Sequence, residues 1–225
     1  MASSDSPHAT LLHGLALVHR ALRRCLDTIV SVSAHPIPEG DRLGFAEFTG
    51  RFTKFLHTHH DGEEEVIFPA LRAAGERAAM ADQVAHVAEW KADHEQLLGR
   101  LRELEAGCTS FRAGQSQETL AKAAVQVRTI LFPHLDAEEA ALSEPVLRKM
   151  MTGEQAEAIS EAASKHGQRH GGPTVMMVYL HGLTSEEQKH FSTLPWFVRR
   201  VLIRRIWSRG FRGCLKYAHN PSITV

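Results

Sequence analysis

Apolar residues recur every three or four positions along most of the chain, and this spacing predicts helices. The first stripe runs from Leu11 to Val32, and two prolines and a glycine end it within residues 35–41. The same periodicity predicts three more long helices, the last with a kink at Pro133. We therefore expect an all-α fold built on a four-helix bundle. The four helices are predicted at about residues 11–32, 43–73, 80–105 and 118–150, with a loop at residues 106–116.

Shorter helices are predicted beyond residue 150. Thr152-Gly-Glu-Gln155 has the pattern of a capping box and opens a fifth helix, which should end near residues 166–172. Thr184-Ser-Glu-Glu187 opens another helix, whereas residues 173–180 are ambiguous by composition. We expect two units: a bundle over residues 8–150 and a C-terminal helical extension over residues 151–225 that packs on it.

The two halves of the bundle are related by an offset of 75 residues. His19 and His94 share this offset, and so do His59 and His134. Five apolar positions of the first helix also fall on apolar positions of the third helix. This repeat predicts two helical hairpins related by a pseudo-two-fold axis. The apolar pairs are Leu12 with Val87, Leu15 with Trp90, Leu22 with Leu97, Leu26 with Leu101 and Ile29 with Leu104.

Charge is balanced over the whole chain but not along it. There are 26 Lys and Arg residues against 26 Asp and Glu residues, and residues 189–225 hold eight of the basic residues and none of the acidic ones. The rest of the chain therefore carries 18 basic against 26 acidic residues, a net charge of minus eight. This acidic bundle argues against nucleic acid as a partner. The basic tail is expected to bury its apolar residues on the bundle, and the alternative is a weak contact with an anionic membrane surface. The apolar residues expected to be buried are Trp196, Phe197, Val198, Val201, Leu202, Ile206 and Trp207.

The remaining composition favours an intracellular, cytoplasmic protein. Cys25, Cys108 and Cys214 are odd in number and far apart, which indicates free thiols rather than a disulfide framework. The first residues lack the basic and apolar regions of a secretory leader, and no segment has the apolar length of a membrane span.

Two histidine–glutamate pairs on apolar helix faces are the strongest chemical signal. His59 with Glu63, and His134 with Glu138, are spaced i,i+4, so each pair can reach one metal ion. His19 and His94 lie on the stripes of the other two helices. Together the six residues offer four imidazoles and two carboxylates, which suits two bridged transition-metal ions. Buried carboxylates without cations would cost several kcal/mol each.

Neighbouring residues are given other roles. Glu64 and Glu139 are candidates for orienting the ligand imidazoles, and Trp90 flanks His94. His60 falls toward the edge of the apolar face and receives no metal role. His166 and His170 are interpreted as solvent-exposed residues at a helix C-terminus.

Mixed imidazole and carboxylate ligands suit iron, manganese or zinc. Two six-coordinate ions have about twelve positions, of which these ligands and an oxo or hydroxo bridge fill about ten. Open positions in an apolar pocket favour binding of a small molecule, and dioxygen is the natural candidate for two iron(II) ions. No catalytic side chain is identified, and electrons for a redox cycle would come from an external donor.

Four segments in order carry a family resemblance: "VHRALRRCLD", "HHDGEEEVIFPAL", "ADHEQLLGRLREL" and "FPHLDAEEAAL". Over roughly residues 10–150 the chain resembles the hemerythrin-like, HHE cation-binding family, and "LPWFVRR…WSRGF" is similar to the tails of fungal members. The resemblance implies an up-and-down four-helix bundle with a non-haem di-iron centre held by the six residues above. Ferritin-like proteins use the pair in the reverse order, E-x-x-H.

The sequence departs from the oxygen-carrying hemerythrins at two positions. Those proteins have a fifth histidine from an H-x-x-x-H pair on the third helix, whereas Trp90 and Leu98 stand four residues to either side of His94 in this chain. They also have an aspartate where this chain has Glu138. We therefore expect an oxidoreductase that activates dioxygen and acts on a small organic molecule. The alternatives are a module that senses or binds dioxygen, nitric oxide or iron without turnover, and a purely structural bundle.

Overall fold

The computed structural model describes residues 6–224, except for the side chain of Thr193. This part of the chain is almost entirely helical and contains no strand, as the periodicity predicts. The α-helices are α1 (Pro7–Ser33), α2 (Arg42–Gly62), α3 (Phe68–Arg77), α4 (Ala81–Arg112), α5 (Glu118–Ala141), α6 (Glu144–Met150), α7 (Gly153–Gly182) and α8 (Ser208–Phe211). Glu63–Ile67 and Val198–Trp207 are π-helices, and Glu39–Asp41, Glu187–Thr193 and Arg212–Tyr217 are 3₁₀ turns.

Four long helices form the bundle. Helix α5 packs between α4 and α1, and α2 contacts both α4 and α1. The helix bounds follow the internal repeat: α1 shifted by 75 residues would span residues 82–108, inside α4, and α2 would span residues 117–137, close to α5. Their inward faces form one core, with Leu22, Leu26 and Leu101 fully buried.

Two boundaries within the bundle differ from the sequence prediction. Helix α4 continues through the predicted loop to Arg112, because Cys108 and Phe111 are buried and extend its apolar face. The chain breaks between α5 and α6, where Leu142 is in an extended conformation, so residues 118–150 are not one helix. Proline 133 lies inside α5 without ending it.

A π-helix interrupts the second helix at the predicted ligand Glu63. The amide of Phe68 donates to the carbonyl of Glu63, five residues earlier. Pro69 follows directly, and its ring cannot fit beside the carbonyl four residues before it in a regular α-helix, so the wider turn accommodates the proline. The buried face therefore passes from Glu63 to Phe68 and then Leu71, instead of to Val66.

The C-terminal extension shares the core of the bundle. Helix α7 packs along α1 and α2, and its residues Val178 and Leu180 are fully buried in the same cluster as Leu22. The helix opens with the predicted capping box between Thr152 and Gln155. Its first helical segment ends near residue 170 as predicted, because Gly172 leaves the helical conformation at φ 61° and ψ −159°. A second helical segment of α7 follows directly and includes residues 173–180.

Helix α7 approaches α1 closely at Gly182. A Cβ atom there would lie 2.8 Å from the Cβ of Ala21 and 3.0 Å from its Cα. We expect Gly182→Ala to lower the free energy of unfolding by roughly 1–3 kcal/mol, because the backbones of α7 and α1 would have to move apart. Gly167→Ala is the control, since nothing lies within 4 Å of its added Cβ and alanine favours the helix. Chemical denaturation of both variants checks this, and equal destabilisation would contradict it.

The basic tail is only partly buried. Ile203 and Phe211 are fully buried, and Tyr217 packs with its ring 5.1 Å from that of Phe45 on α2. The expected burial of three residues is wrong: the exposed fractions are 65% for Trp196, 54% for Phe197 and 52% for Ile206. These side chains lie on the side of the π-helix that faces away from Ile203. Within residues 6–224, the helices are too short or too polar to cross a membrane.

Candidate metal centre

The bundle brings the six predicted ligands together at its interior. The four histidines come one each from α1, α2, α4 and α5, whereas Glu63 begins the π-helix and Glu138 lies in the last turn of α5. No side chain of the six is more than 6% exposed. The i,i+4 spacing works as expected within α5, where the His134 Nε2 atom is 3.5 Å from Glu138 Oε1. The residues are His19, His59, Glu63, His94, His134 and Glu138.

Both glutamates lie between two pairs of histidines. Glu63 Oε1 is 3.2 Å from the Nε2 atom of His59, and Glu63 Oε2 is 3.5 Å from that of His94. Glu138 Oε2 is 3.4 Å from the Nε2 atom of His19, and its Oε1 faces His134. Each carboxylate thus offers one oxygen to the His19–His59 pair and the other to the His94–His134 pair. Two donors about 2.1 Å from a common ion lie roughly 3 to 3.5 Å apart, so the spacing suits one ion in each group.

Acidic residues outside the centre fix the orientation of three imidazoles. The Nδ1 atom of His19 is 2.9 Å from Glu139, that of His94 is 3.1 Å from Glu64, and that of His134 is 3.4 Å from Asp93. Because an ionised carboxylate only accepts hydrogen bonds, each Nδ1 carries the proton and donates it. The lone pair of each Nε2 atom therefore points into the centre. A metal ion requires this tautomer of the imidazole.

Two of these lone pairs face each other directly. The Nε2 atoms of His94 and His134 are 3.0 Å apart. With both Nδ1 atoms protonated, no proton is left between the two Nε2 atoms unless one imidazole becomes a cation. Burial opposes that charge and lowers the pKa of both rings to about 4. A metal ion ligated by both nitrogens removes the repulsion.

The carboxylates need a cation for a similar reason. Burial, and after it the nearby carboxyl of Glu138, raises the pKa of Glu63 well above its usual value. The pKa of Glu138 is also raised well above its usual value, first by burial and then by the nearby carboxyl of Glu139. Burial also holds the pKa of His59 well below 6.5, so this imidazole does not supply the positive charge. In the described residues Glu63 Oε2 and both oxygens of Glu138 are buried without a hydrogen bond, as are the Nε2 atoms of His19 and His59. These atoms are lone-pair donors, and the donor set fits metal ions.

The sequence analysis missed His60. This residue is 5% exposed, and its ring stacks on His94 with the centroids 4.1 Å apart. One of its nitrogens lies within 4.8 Å of donor atoms of Glu63, His94 and His134, so His60 is a further candidate ligand beside the His94–His134 pair. The signal was present in the chain, because His60 follows the fully buried Leu56 by four residues.

Two other residues near the centre have roles that the sequence did not give. Asp93 orients His134, although it lies next to the predicted ligand His94 and on a different helix from His134. Trp90 is buried but packs on Phe68, with centroids 5.6 Å apart, and Phe68 in turn stacks on His94 at 5.2 Å. Trp90 thus supports the centre through Phe68.

An all-helical bundle that buries two adjoining groups of histidines and glutamates, each able to hold a cation, is typical of a class of metal-binding proteins. The family model described as the hemerythrin HHE cation binding domain matches residues 10–146. The chain therefore belongs to this family, and metal-ion binding is its function at that level. No match was found among curated proteins or among solved structures. The match ends before α7, so the extension lies outside the family domain.

Metal loading should depend on pH through the carboxyl groups. Without metal, the raised pKa values of Glu63 and Glu138 keep protons on these groups above the usual 4.5, whereas His94 and His134 take up protons only near pH 4. Affinity for Zn²⁺ or Fe²⁺ should therefore increase as the pH rises from about 5 to 8, with proton release on binding. Calorimetry in two buffers of different ionisation enthalpy measures that release. Affinity that stays constant over this range would contradict the assignment.

Replacing His60 should alter one metal position and leave both filled. In His60→Phe the aromatic ring can still stack on His94, but the nitrogens are lost. We expect about two Co²⁺ ions to bind in the buried centre, with a changed visible absorption band from the ion near His94. His57→Phe is the control, because His57 pairs with Glu105 at 3.0 Å outside the centre. An unchanged Co²⁺ spectrum in His60→Phe would exclude His60 from the ligand set.

Proposed function

We propose that this protein is a non-haem di-iron oxidoreductase that binds and activates dioxygen to oxidise a small organic molecule. The observation that carries the proposal is the placement of Glu63 and Glu138, each with one oxygen toward either histidine pair. Carboxylates in this position would hold one ion with each histidine pair. Iron is favoured over zinc or manganese by the family to which the chain belongs, and it supplies redox and dioxygen-binding chemistry when bound.

The number of protein donors leaves room for a small molecule. Two six-coordinate ions offer about twelve positions. Four imidazoles fill four, two bridging carboxylates fill four, and an oxo or hydroxo bridge fills two. The two remaining positions suit dioxygen or nitric oxide, or one of them is taken by His60. A small ligand is also favoured by the burial of the centre, where His19 and Glu138 are at most 1% exposed.

The surrounding residues control water and protons. Phe68 covers His94 on the side away from His60, with ring centroids 5.2 Å apart, and keeps water from that imidazole. The Glu139 carboxylate accepts a hydrogen bond from Nδ1 of His19 and another, 2.7 Å long, from Arg23. This partnership, led by the hydrogen bond to His19, lowers the pKa of Glu139 to about 2. Glu139 therefore stays ionised and keeps the His19 tautomer fixed during a redox cycle.

The alternative function is sensing or binding of dioxygen, nitric oxide or iron without turnover. It is favoured by the contact between the centre and the extension: Gly62, next to Glu63, lies against the ring of His166 on α7. A change at Glu63 could thus reach α7.

A surface cleft of about 330 Å³, lined by Glu47, Arg51 and Glu105 among others, includes none of the metal-binding residues, so it does not provide a substrate pocket at the centre.

Oxygen uptake by the iron-loaded protein separates the two functions. The metal-free protein is loaded anaerobically with Fe²⁺, and oxygen consumption is then followed with an electrode in the presence of ascorbate as an artificial electron donor. The oxidoreductase should consume many equivalents of dioxygen per centre and require ascorbate. Glu63→Gln treated identically is the control and should show no uptake beyond that of free iron.

Two results would overturn the oxidoreductase proposal. Uptake of one dioxygen per centre that is released unchanged on degassing would support the binding module. Absence of stoichiometric iron, with no change in the absorption spectrum on exposure to air, would remove both functions and leave a structural bundle.

A further inference from the structure

We propose that Glu65, His166 and His170 form a separate site for one divalent transition-metal ion, at the junction between the π-helix and α7. The site lies partly outside the matched family domain, because both histidines belong to the extension. One donor atom from each of the three residues lies within 4.8 Å of the others. None of the three is a ligand of the buried centre.

The helices present these donors on one side. His166 and His170 are spaced i,i+4 on α7, and their rings stack with centroids 4.4 Å apart. Glu65 reaches them from the π-helix, where its Oε2 atom is 3.5 Å from His166 Nδ1. The π-helix contacts α7, and Glu65 lies on a different side of it from the buried Glu63.

The burial of His166 is a second observation that supports a ligand at this position. The expectation that it is solvent-exposed is wrong: it lies in the middle of α7 and its side chain is 6% exposed. In the described residues its Nε2 atom is buried without a hydrogen bond, and the Glu65 contact at 3.5 Å is too long for a good one. Gly62 makes room for the ring, since a Cβ atom there would be 3.3 Å from His166 Cδ2. One nitrogen of this buried imidazole lies within 4.8 Å of donor atoms of Glu65 and His170, so it is available to an ion at this position.

Two imidazoles and one carboxylate select the type of ion. This donor set suits Zn²⁺, and water can fill the fourth position because Glu65 is 64% exposed. Glu65 forms no other ion pair in the described part of the chain, so it is available to the metal. The exposed position predicts an exchangeable ion, in contrast to the buried centre. An ion here would join the extension to the segment that carries Glu63.

Metal stoichiometry tests the proposal. Metal-free protein is titrated with Zn²⁺ in calorimetry, and the wild type should bind about three ions, one with a distinct enthalpy. His170→Ala should lose that one event, or weaken it more than about tenfold, and keep the other two. This substitution leaves the core intact because His170 is exposed. The control His57→Ala, an exchange at another histidine that pairs with a glutamate, should keep all three events.

The third site and the buried centre can fail independently. Glu63→Gln should lose the two buried ions and keep the third. Identical stoichiometry in the wild type and His170→Ala would overturn the proposal, and so would loss of the third ion in His57→Ala.

A different observation points to a lipid surface as a partner of the tail, and we infer that the π-helix Val198–Trp207 docks on anionic membranes. Trp196 and Phe197 precede this helix and Ile206 lies near its end, and all three are more than half exposed. In a π-helix, residues four to five positions apart share a side, which aligns Phe197 and Ile206 with Val201 between them. Ile203 faces the protein core instead and is fully buried.

Positive charge flanks the exposed apolar residues. Arg200, Arg204 and Arg205 are exposed on the same helix, and in the described residues they form no ion pair with a carboxylate. No acidic residue occurs from residue 189 to the end of the chain. Tryptophan and phenylalanine beside arginines suit the headgroup region of an anionic bilayer. The combination of exposed aromatic side chains with these arginines therefore favours an anionic lipid surface as the partner.

Vesicle sedimentation tests this inference with the full chain. Binding to phosphatidylcholine vesicles that contain phosphatidylserine should exceed binding to pure phosphatidylcholine more than about tenfold and decrease with salt. Trp196→Ala with Phe197→Ala should weaken binding, whereas Leu43→Ala, at a residue 62% exposed on α2, should not. Equal binding to both vesicles would overturn the inference. A dimer that becomes monomeric in the tail variant would also overturn it, because it would assign the surface to self-association.

Discussion

Glu63→Gln is expected to abolish loading of the buried centre while leaving the fold intact. Glutamine has the same shape but is a weaker, neutral ligand that cannot bridge two cations as a carboxylate does. Because Glu63 offers an oxygen to His59 and another to His94, both ions lose a ligand. We expect the affinity for both ions to fall by more than about 100-fold. Loss of a hydrogen bond to a ligand costs at most about that factor, and loss of the ligand itself should cost more. Metal analysis after gentle purification measures the loss.

The metal-free form of the same variant should change in the opposite direction. Burial raises the pKa of Glu63, so the carboxyl contributes stability that is present below its normal pKa and lost as the pH rises through the folded-state value. Removing the charge should therefore leave the melting temperature of the metal-free protein at pH 7 unchanged or higher. The part of the rise in melting temperature that comes from filling the buried centre should vanish. Glu76→Gln, at an exposed glutamate paired with Arg72, is the matched control. A Glu63→Gln protein that retains both ions would contradict the bridging role.

A chain truncated after Thr152 is expected not to fold as a stable bundle. The main core crosses the proposed unit boundary at residue 150, because α7 and the tail contribute side chains to the cluster that contains Leu17 and Leu22. Truncating one such side chain to alanine costs roughly 2–5 kcal/mol, and a domain has only about 5–15 kcal/mol of stability in total. Losing several of them exceeds that reserve. The buried residues lost are Val175, Met177, Val178, Leu180, Leu183, Ile203, Phe211, Cys214 and Tyr217.

Circular dichroism during thermal unfolding measures this effect. The fragment of residues 1–152 should unfold without a cooperative transition and expose apolar surface, with partial helix retained. Adding a separately prepared fragment of residues 153–225 should restore a cooperative transition, which serves as the control for damage unrelated to the missing core. A fragment that alone unfolds cooperatively and holds both metal ions would mean that the family domain is independent of its extension.

Helix periodicity was sufficient to predict the bundle. The apolar stripes repeat over long segments, and the 75-residue offset relates α1 to α4 and α2 to α5. The histidines at positions 19, 59, 94 and 134 lie on these stripes, and the structure brings them to one point. Such agreement is expected where long regular helices determine which side chains face inward.

The sequence was less informative where a regular α-helix gives way to another conformation. The π-helix at Glu63–Ile67 moves the buried face to Phe68, which a constant angle per residue does not predict. At Gly172 a residue at positive φ ends the first helical segment of α7, as the two adjacent glycines suggested. The second segment that follows directly was not predicted, because residues 173–180 are ambiguous by composition. Asp93 orients a histidine on another helix, and such pairing depends on how the helices pack.

The tail shows a second limit of sequence patterns. Its apolar residues have helical spacing, but the element formed is a π-helix, so they do not all fall on one side. Ile203 is buried and Ile206 is half exposed, although both were assigned by pattern to an apolar segment. The period of a segment must be known before its apolar face can be assigned.

The wide turn at Glu63–Ile67 also limits how this site could be rebuilt elsewhere. Grafting only the His-x-x-x-Glu motif onto a regular helix of an unrelated scaffold would place Phe68 and everything after it about one residue out of register. A faithful transplant must carry residues 59–69 as a block, with Pro69 included. Conversely, deleting one residue between Glu63 and Pro69 would keep every ligand in the chain but rotate the following helix. Such a deletion would show how much metal binding depends on the surrounding helix and how much on the ligands themselves.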